Sequence, residues 1–164
     1  MALFEEAERD AEYERARKRA MYLLGSRAYS TAALREKLLN NYSEDTVERV
    51  VEDMTRYGFL DDEDYARRLA SSIIRSKKYG IHRAKAEMRR KGVPDELIEE
   101  ALSEYSPEDM AESLTELVRK KYSDRIQDRS ERQKVIAALA RRGYGFGEIK
   151  AAIVAVLEEI DEEE

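Results

Sequence analysis

Cysteine and tryptophan are missing from this chain, histidine occurs once, at His82, and only two prolines and seven glycines punctuate 164 residues. Each scarcity removes a class of protein. Without cysteine there are no disulfides, and a reducing interior is permitted. One histidine cannot assemble a His-rich metal cluster, a zinc-ligand spacing or a Cys/His dyad. No glycine-rich phosphate loop is present: Gly143, Gly145 and Gly147 alternate as GYGFG, but no strand precedes them and no Lys-Ser/Thr follows, so they read as an interhelical turn. The longest apolar run, Ala151 to Leu157, is far below the roughly 18 residues of a membrane span. The start, MALFEEAERD, is acidic and lacks an apolar core. Secretion and membrane insertion are not indicated, the expected compartment is the cytoplasm, and no cofactor or metal is expected.

What is present is repetition. Segments around Leu38, Met88 and Leu139 align at offsets of 50 and 51 residues. Leu34, Ala84 and Val135 precede them by four positions, and Tyr42, Gly92 and Gly143 follow by four, where each helix should end. A second apolar stripe then restarts in each copy, at Val47 and Val51, Leu97 and Ala101, Ile149 and Ile153. Four-residue steps mark helix faces, and a period near 50 marks stacked helical units that cannot bury a core singly. The expected fold is all-α, a tandem array of three three-helix repeats, nine helices in all, elongated and curved. The divisions are an N-terminal extension over 1–10, repeats over 11–59, 60–105 and 106–160, and an acidic tail over 161–164. The first helix is expected over Ala11 to Leu24, with Ala16, Ala20, Leu23 and Leu24 inward. Ser30, Asp61 and Ser106 are candidate N-caps, and Pro107 fits a first helical turn. A monomer is expected, because stacked units bury their own faces.

Charge is segregated along the chain. The net charge of −6 argues against indiscriminate nucleic-acid binding. Locally, Arg75, Lys77, Lys78, Arg83, Lys85, Arg89, Arg90 and Lys91 face the single acid Glu87, and Val93 to Val118 then holds nine acids and no Lys or Arg. Arg119 to Arg142 is basic again, ending in Arg141 and Arg142. One reading is a basic stripe, carried on the second helices of repeats two and three, that faces an acidic or phosphate-bearing partner. The other is a solvated helix face whose cations pair with the acidic third helices.

The run Asp61, Asp62, Glu63, Asp64 points in different directions around a first helical turn, which suits capping better than a cation site. His82 lies near a helix start beside basic neighbours, as a surface or contact residue. Tyr57, Phe59 and Tyr65 are expected to fill the junction between repeats, whereas Tyr79 and Tyr144, each beside a basic run and a glycine, are expected to be exposed.

GFLDDEDYARRLA, Gly58 to Ala70, followed by YGIHRAKAEMRRKGVPDELIEEAL, Tyr79 to Leu102, closely resembles the bacterial RecX regulatory proteins. Gly58, Leu60, Asp61, Asp62, Tyr65 and Ala66 match the family's first signature, and Gly80, Lys91 and Gly92 its second block. Leu23 to Leu38 and Ala111 to Glu158 resemble the first and third RecX repeats, and Tyr42 departs by standing where the other repeats have glycine. The resemblance implies a non-enzymatic modulator that binds the RecA recombinase filament on single-stranded DNA, with DNA contact indirect through RecA. It would hinder filament growth, strand exchange and coprotease activity, and so modulate repair and the SOS response. On that reading the signature residues are mainly structural, and the basic set Arg75 to Lys91 with Arg141 and Arg142 meets the filament or DNA. The alternative is a helical DNA-binding protein acting directly through its basic helices. An adaptor scaffold for another protein ranks last.

Overall fold

The structure, a computed structural model, describes residues 1–164. Nine α-helices and no strand compose it: α1 (Ala2–Ser26), α2 (Thr31–Leu39), α3 (Glu44–Arg56), α4 (Asp62–Ser71), α5 (Ile81–Arg90), α6 (Asp95–Leu102), α7 (Pro107–Ile126), α8 (Arg129–Arg141) and α9 (Phe146–Glu163). A π-helical turn, Ser72–Ser76, continues α4. These are three tandem triplets. Contacts group them into two compact units, Met1–Ala66 with Arg89–Leu97, and Arg67–Met88 with Ile98–Glu164, so the second triplet contributes to both.

Helix starts follow local chemistry. The Ser30, Ser43 and Ser106 hydroxyls accept from the amides of Ala33, Thr46 and Asp109, and Asp61 Oδ1 accepts from the Asp64 amide at 3.1 Å. One expectation is corrected here. The first helix begins at Ala2 rather than Ala11, because Ala, Leu, Glu and Arg are strong helix formers with no glycine or proline among them, and Glu5 lies 4.0 Å from Arg9 one turn on.

In the first unit, Ala16, Ala20 and Leu23 of α1 meet Leu34 and Leu38 of α2 and Val47, Val50 and Met54 of α3. Leu24 is only partly buried against this core. Glu12 of α1 ties down the start of α3, accepting from the Ser43 amide at 2.8 Å and the Thr46 hydroxyl at 2.9 Å. Those bonds, the Ser43 amide foremost, lower its pKa. The Tyr13 hydroxyl donates to Asp53, which together with burial raises the phenol's pKa.

The second unit is filled by Leu114 and Val118 of α7, Val135 and Leu139 of α8, and Ile149 and Ile153 of α9, with Ile73, Met88 and Ile98 also buried. Arg119 of α7 forks onto Glu159 of α9 through two bonds of 2.7 and 2.8 Å. No helix is long and apolar enough to cross a membrane.

Candidate functional site

The signature residues explain themselves first. Asp61 caps its own helix, while Asp62 Oδ1 accepts from the Thr31 amide at 2.8 Å and so satisfies an orphan donor at the start of α2. Leu60 is 2% exposed in the first core and Ala66 is buried. Tyr65 is half-buried, and that burial raises its pKa. Gly58 ends α3 at φ +81°. Leu60 fills the place expected of its aromatic neighbours, for Tyr57 and Phe59 are 63% and 51% exposed.

Gly80 and Gly92 serve two equivalent joints, one in each unit. In the first, the start of α2 meets the end of α5: the fully buried Ser30 donates from Oγ to the Lys91 carbonyl at 2.6 Å. Gly92 there has φ +88°, and a Cβ on it would lie 2.8 Å from Ser30 Oγ. In the second joint, 50 residues on, the start of α5 meets the end of α8. The Gly80 amide donates to the Arg142 carbonyl at 2.8 Å and the His82 amide to the Gly143 carbonyl at 3.2 Å. A Cβ on Gly80 would fall on the Gly143 carbonyl and within 2.7 Å of the Tyr144 nitrogen, and one on Gly143 would lie 2.5 Å from the Arg83 nitrogen. Main chain touches main chain, so no side chain fits.

The basic residues gather at the second joint. Arg83 stacks over the half-buried Tyr79 ring at 3.8 Å, with Arg142 and Lys77 at 5.6 and 5.9 Å from its centroid. Both guanidinium groups are pinned by carbonyls: Arg83 Nη1 donates to Arg141 O at 3.2 Å, and Arg142 Nη1 to Lys77 O at 2.9 Å. Glu87, 8% exposed, lies between Arg83 and Lys77 at 3.2 and 3.8 Å. Arg141 and Lys78 are exposed beside them.

The rest of the predicted stripe is distributed differently. Lys85 and Arg89 pair with Glu99 and Asp95 of α6 at 3.1 and 2.8 Å, so part of the cationic run is matched by the acidic helix that follows it. Arg75 lies over the Tyr105 ring at 5.3 Å. Arg89, Arg90 and Lys91 belong to the first unit, with Arg90 and Lys91 exposed.

Tyr144 corrects an expectation. It is 5% exposed, its hydroxyl donates to the Lys78 carbonyl at 2.9 Å, and burial pushes its pKa up to about 12. α9 starts two residues on, at Phe146, and that aromatic residue is the exposed one, at 64%. His82 is exposed and borders an open hollow of about 350 Å³ with Lys85, Glu99, Tyr105 and Glu148. No group of three His, Cys, Asp or Glu side chains is positioned to hold a metal ion.

Sequence reasoning passed over Lys120 and Lys121. They line, with Lys78, a recess of about 190 Å³ on α7. The run Arg119 to Lys121 was the available signal, but nothing local shows which of three consecutive cations on a helix turns toward a loop 42 residues upstream.

Geometry of this kind defines a class: a tandem three-helix repeat protein whose loops and helix ends carry an ordered cationic surface. Models of the first, second and third three-helix domains of RecX match residues 16–54, 61–102 and 108–153, and the chain belongs to the RecX family. A "Regulatory protein RecX" of Prosthecochloris aestuarii is 33% identical over 149 residues, covering 90% of this chain and 97% of the relative. Another, of Trichlorobacter lovleyi, is 35% identical over 130 residues, covering 76% and 84%. The crystal structure of RecX from Lactobacillus salivarius superimposes with a TM-score of 0.78 at 19% identity, covering 93% of this chain and 98% of that one, which supports the fold.

Proposed function

We propose that this chain is a non-enzymatic, cytoplasmic regulator of the RecA recombinase. It binds the RecA filament on single-stranded DNA and restrains filament growth, strand exchange and coprotease activity, thereby modulating repair and the SOS response. The observation that carries this reading is the match of all three RecX domain models, in order, to the three triplets. Regulation of this kind needs no chemistry by the chain. A protein that binds one filament state more tightly than another shifts the equilibrium by its differential affinity.

The surface assigned to the filament is the exposed part of the basic set, Arg75, Lys77, Lys78, Arg90, Lys91 and Arg141, supported by the pinned Arg83 and Arg142. Lys85 and Arg89 take part from within their α6 pairs. Carbonyl-pinned guanidinium groups are suited to such contacts, because they have already lost the rotamer freedom that binding would otherwise remove.

The test is single-stranded-DNA-dependent ATP hydrolysis and strand exchange by RecA while this protein is titrated. Saturable inhibition at sub-stoichiometric ratios is expected. Absence of inhibition by folded, helical protein overturns the reading.

A further inference from the structure

Helix α1 carries a face that no other part of the chain covers. Tyr13, Ala16, Ala20 and Leu23 turn into the first core. On the opposite side Phe4, Ala7, Ala11, Glu14, Lys18 and Tyr22 follow one another in steps of three and four, all exposed. Leu3 and Phe4 are 80% and 79% exposed and Tyr22 69%, so the face is apolar at both ends, with two alanines between them that let a second helix come close. One edge of it, Glu8, Ala11 and Arg15, borders an open hollow of about 630 Å³ opposite Asn41 and Tyr42. Alternating steps of three and four are the spacing of a helix that pairs with another helix.

The charges along α1 say which helix that is. Glu5 to Glu14 holds six acids and one base, Arg9, whereas Arg15 to Arg19 holds four bases and no acid. Asp10 is engaged by Arg49 at 3.2 Å and Glu12 by the start of α3, but Glu8, Glu14, Arg15 and Lys18 form no ion pair within the chain. A second copy of α1 laid parallel sets like charges together. Laid antiparallel, it sets the acidic half of each helix against the basic half of the other. In that register Phe4 lies against Tyr22 of the second copy and Ala7 against Lys18, whose ammonium then reaches Glu8. Two-fold symmetry makes each contact twice. We infer that this chain forms a dimer through antiparallel pairing of α1 with α1 of a second copy. Stacking of the triplets leaves the face open, so the pairing does not compete with either core.

The dimer goes beyond the filament reading and is measured without RecA, so either can fail alone. A two-helix interface is small, so a weak dimer with a Kd of about 10 µM is expected. Sedimentation equilibrium of the full chain therefore runs from about 1 to about 200 µM. The variants are Leu3→Ser with Phe4→Ser, Glu8→Lys, and Lys18→Glu. All four positions are exposed, so the fold is kept, as a thermal melt verifies. The serine pair and each charge variant alone should weaken the dimer about fivefold or more. An equimolar mixture of the Glu8→Lys and Lys18→Glu chains should return to within about twofold of the wild-type Kd, because the two reversals then meet as opposite charges. A parallel pair would leave both charge variants at wild-type strength. A wild type that stays monomeric throughout, a serine or charge variant that dimerises like the wild type, or a mixture no tighter than either variant alone overturns the proposal.

Discussion

An alanine at position 80 would press its methyl group onto the Gly143 carbonyl and the Tyr144 nitrogen, both main-chain atoms that cannot swing away. Gly80→Ala should therefore cost about 2–4 kcal/mol, as overpacking against backbone does. At Gly58 a Cβ meets nothing within 4 Å, so Gly58→Ala should cost only the left-handed conformation, about 1 kcal/mol. Urea denaturation of the two variants separates the effects, and equal losses would refute the close-approach account. Tyr144 carries a second expectation. Its pKa in the fold, about 12, lies above the ordinary value of 10.0, so its contribution is complete below pH 10 and is lost as pH climbs toward 12. Tyr13 and Tyr65 are raised as well and act with the same sign. Tyr144→Phe should flatten part of the alkaline loss of stability; an unchanged pH profile would place that loss elsewhere. Sequence pattern misplaced this residue because a tyrosine beside two glycines and two arginines looks exposed, and its partner, the Lys78 carbonyl, lies 66 positions upstream.

Elements show the same division between what is local and what is not. Ser30, Asp61 and Ser106 were legible as caps because a cap and its amide are three residues apart. The joints were not, because they pair residues 58 or more positions apart, and the glycines that permit them look in sequence like ordinary helix stops. The π-helical turn after α4 also left no sequence signal, since SSIIRS is compatible with a plain α-helix. Ser30 belongs to both categories: its oxygen caps α2 and its hydroxyl donates to Lys91. Ser30→Ala should lose the cap and the bond to the Lys91 carbonyl, about 2 kcal/mol together. Amide exchange should accelerate at Ala33 and at the start of α2; unchanged protection there would contradict the double role.

Over the whole molecule, the 50-residue period exposed the three triplets, because each helix face must repeat its apolar spacing to close a core. Which cations point outward was hidden, because Lys85 and Arg89 find carboxylates on α6 that sequence separation alone does not assign. The free-standing pair Arg90 and Lys91 is thus a cleaner probe of the filament surface. Arg90→Glu with Lys91→Glu should leave the melting temperature nearly unchanged, since exposed charges contribute little. The same variant should weaken inhibition of RecA ATP hydrolysis about tenfold, the equivalent of 1.4 kcal/mol. Undiminished inhibition would remove these residues from the interface. The joints have one more consequence, for mutational tolerance. Because main-chain atoms set the seating of one triplet's second helix on the next, a few small residues protect the geometry while exposed charged positions such as Arg90, Lys91 and Arg141 are free to drift. Surface specificity can then be rewritten by substitution without re-solving the fold, which makes this scaffold a candidate for retargeting by recharging its loops alone.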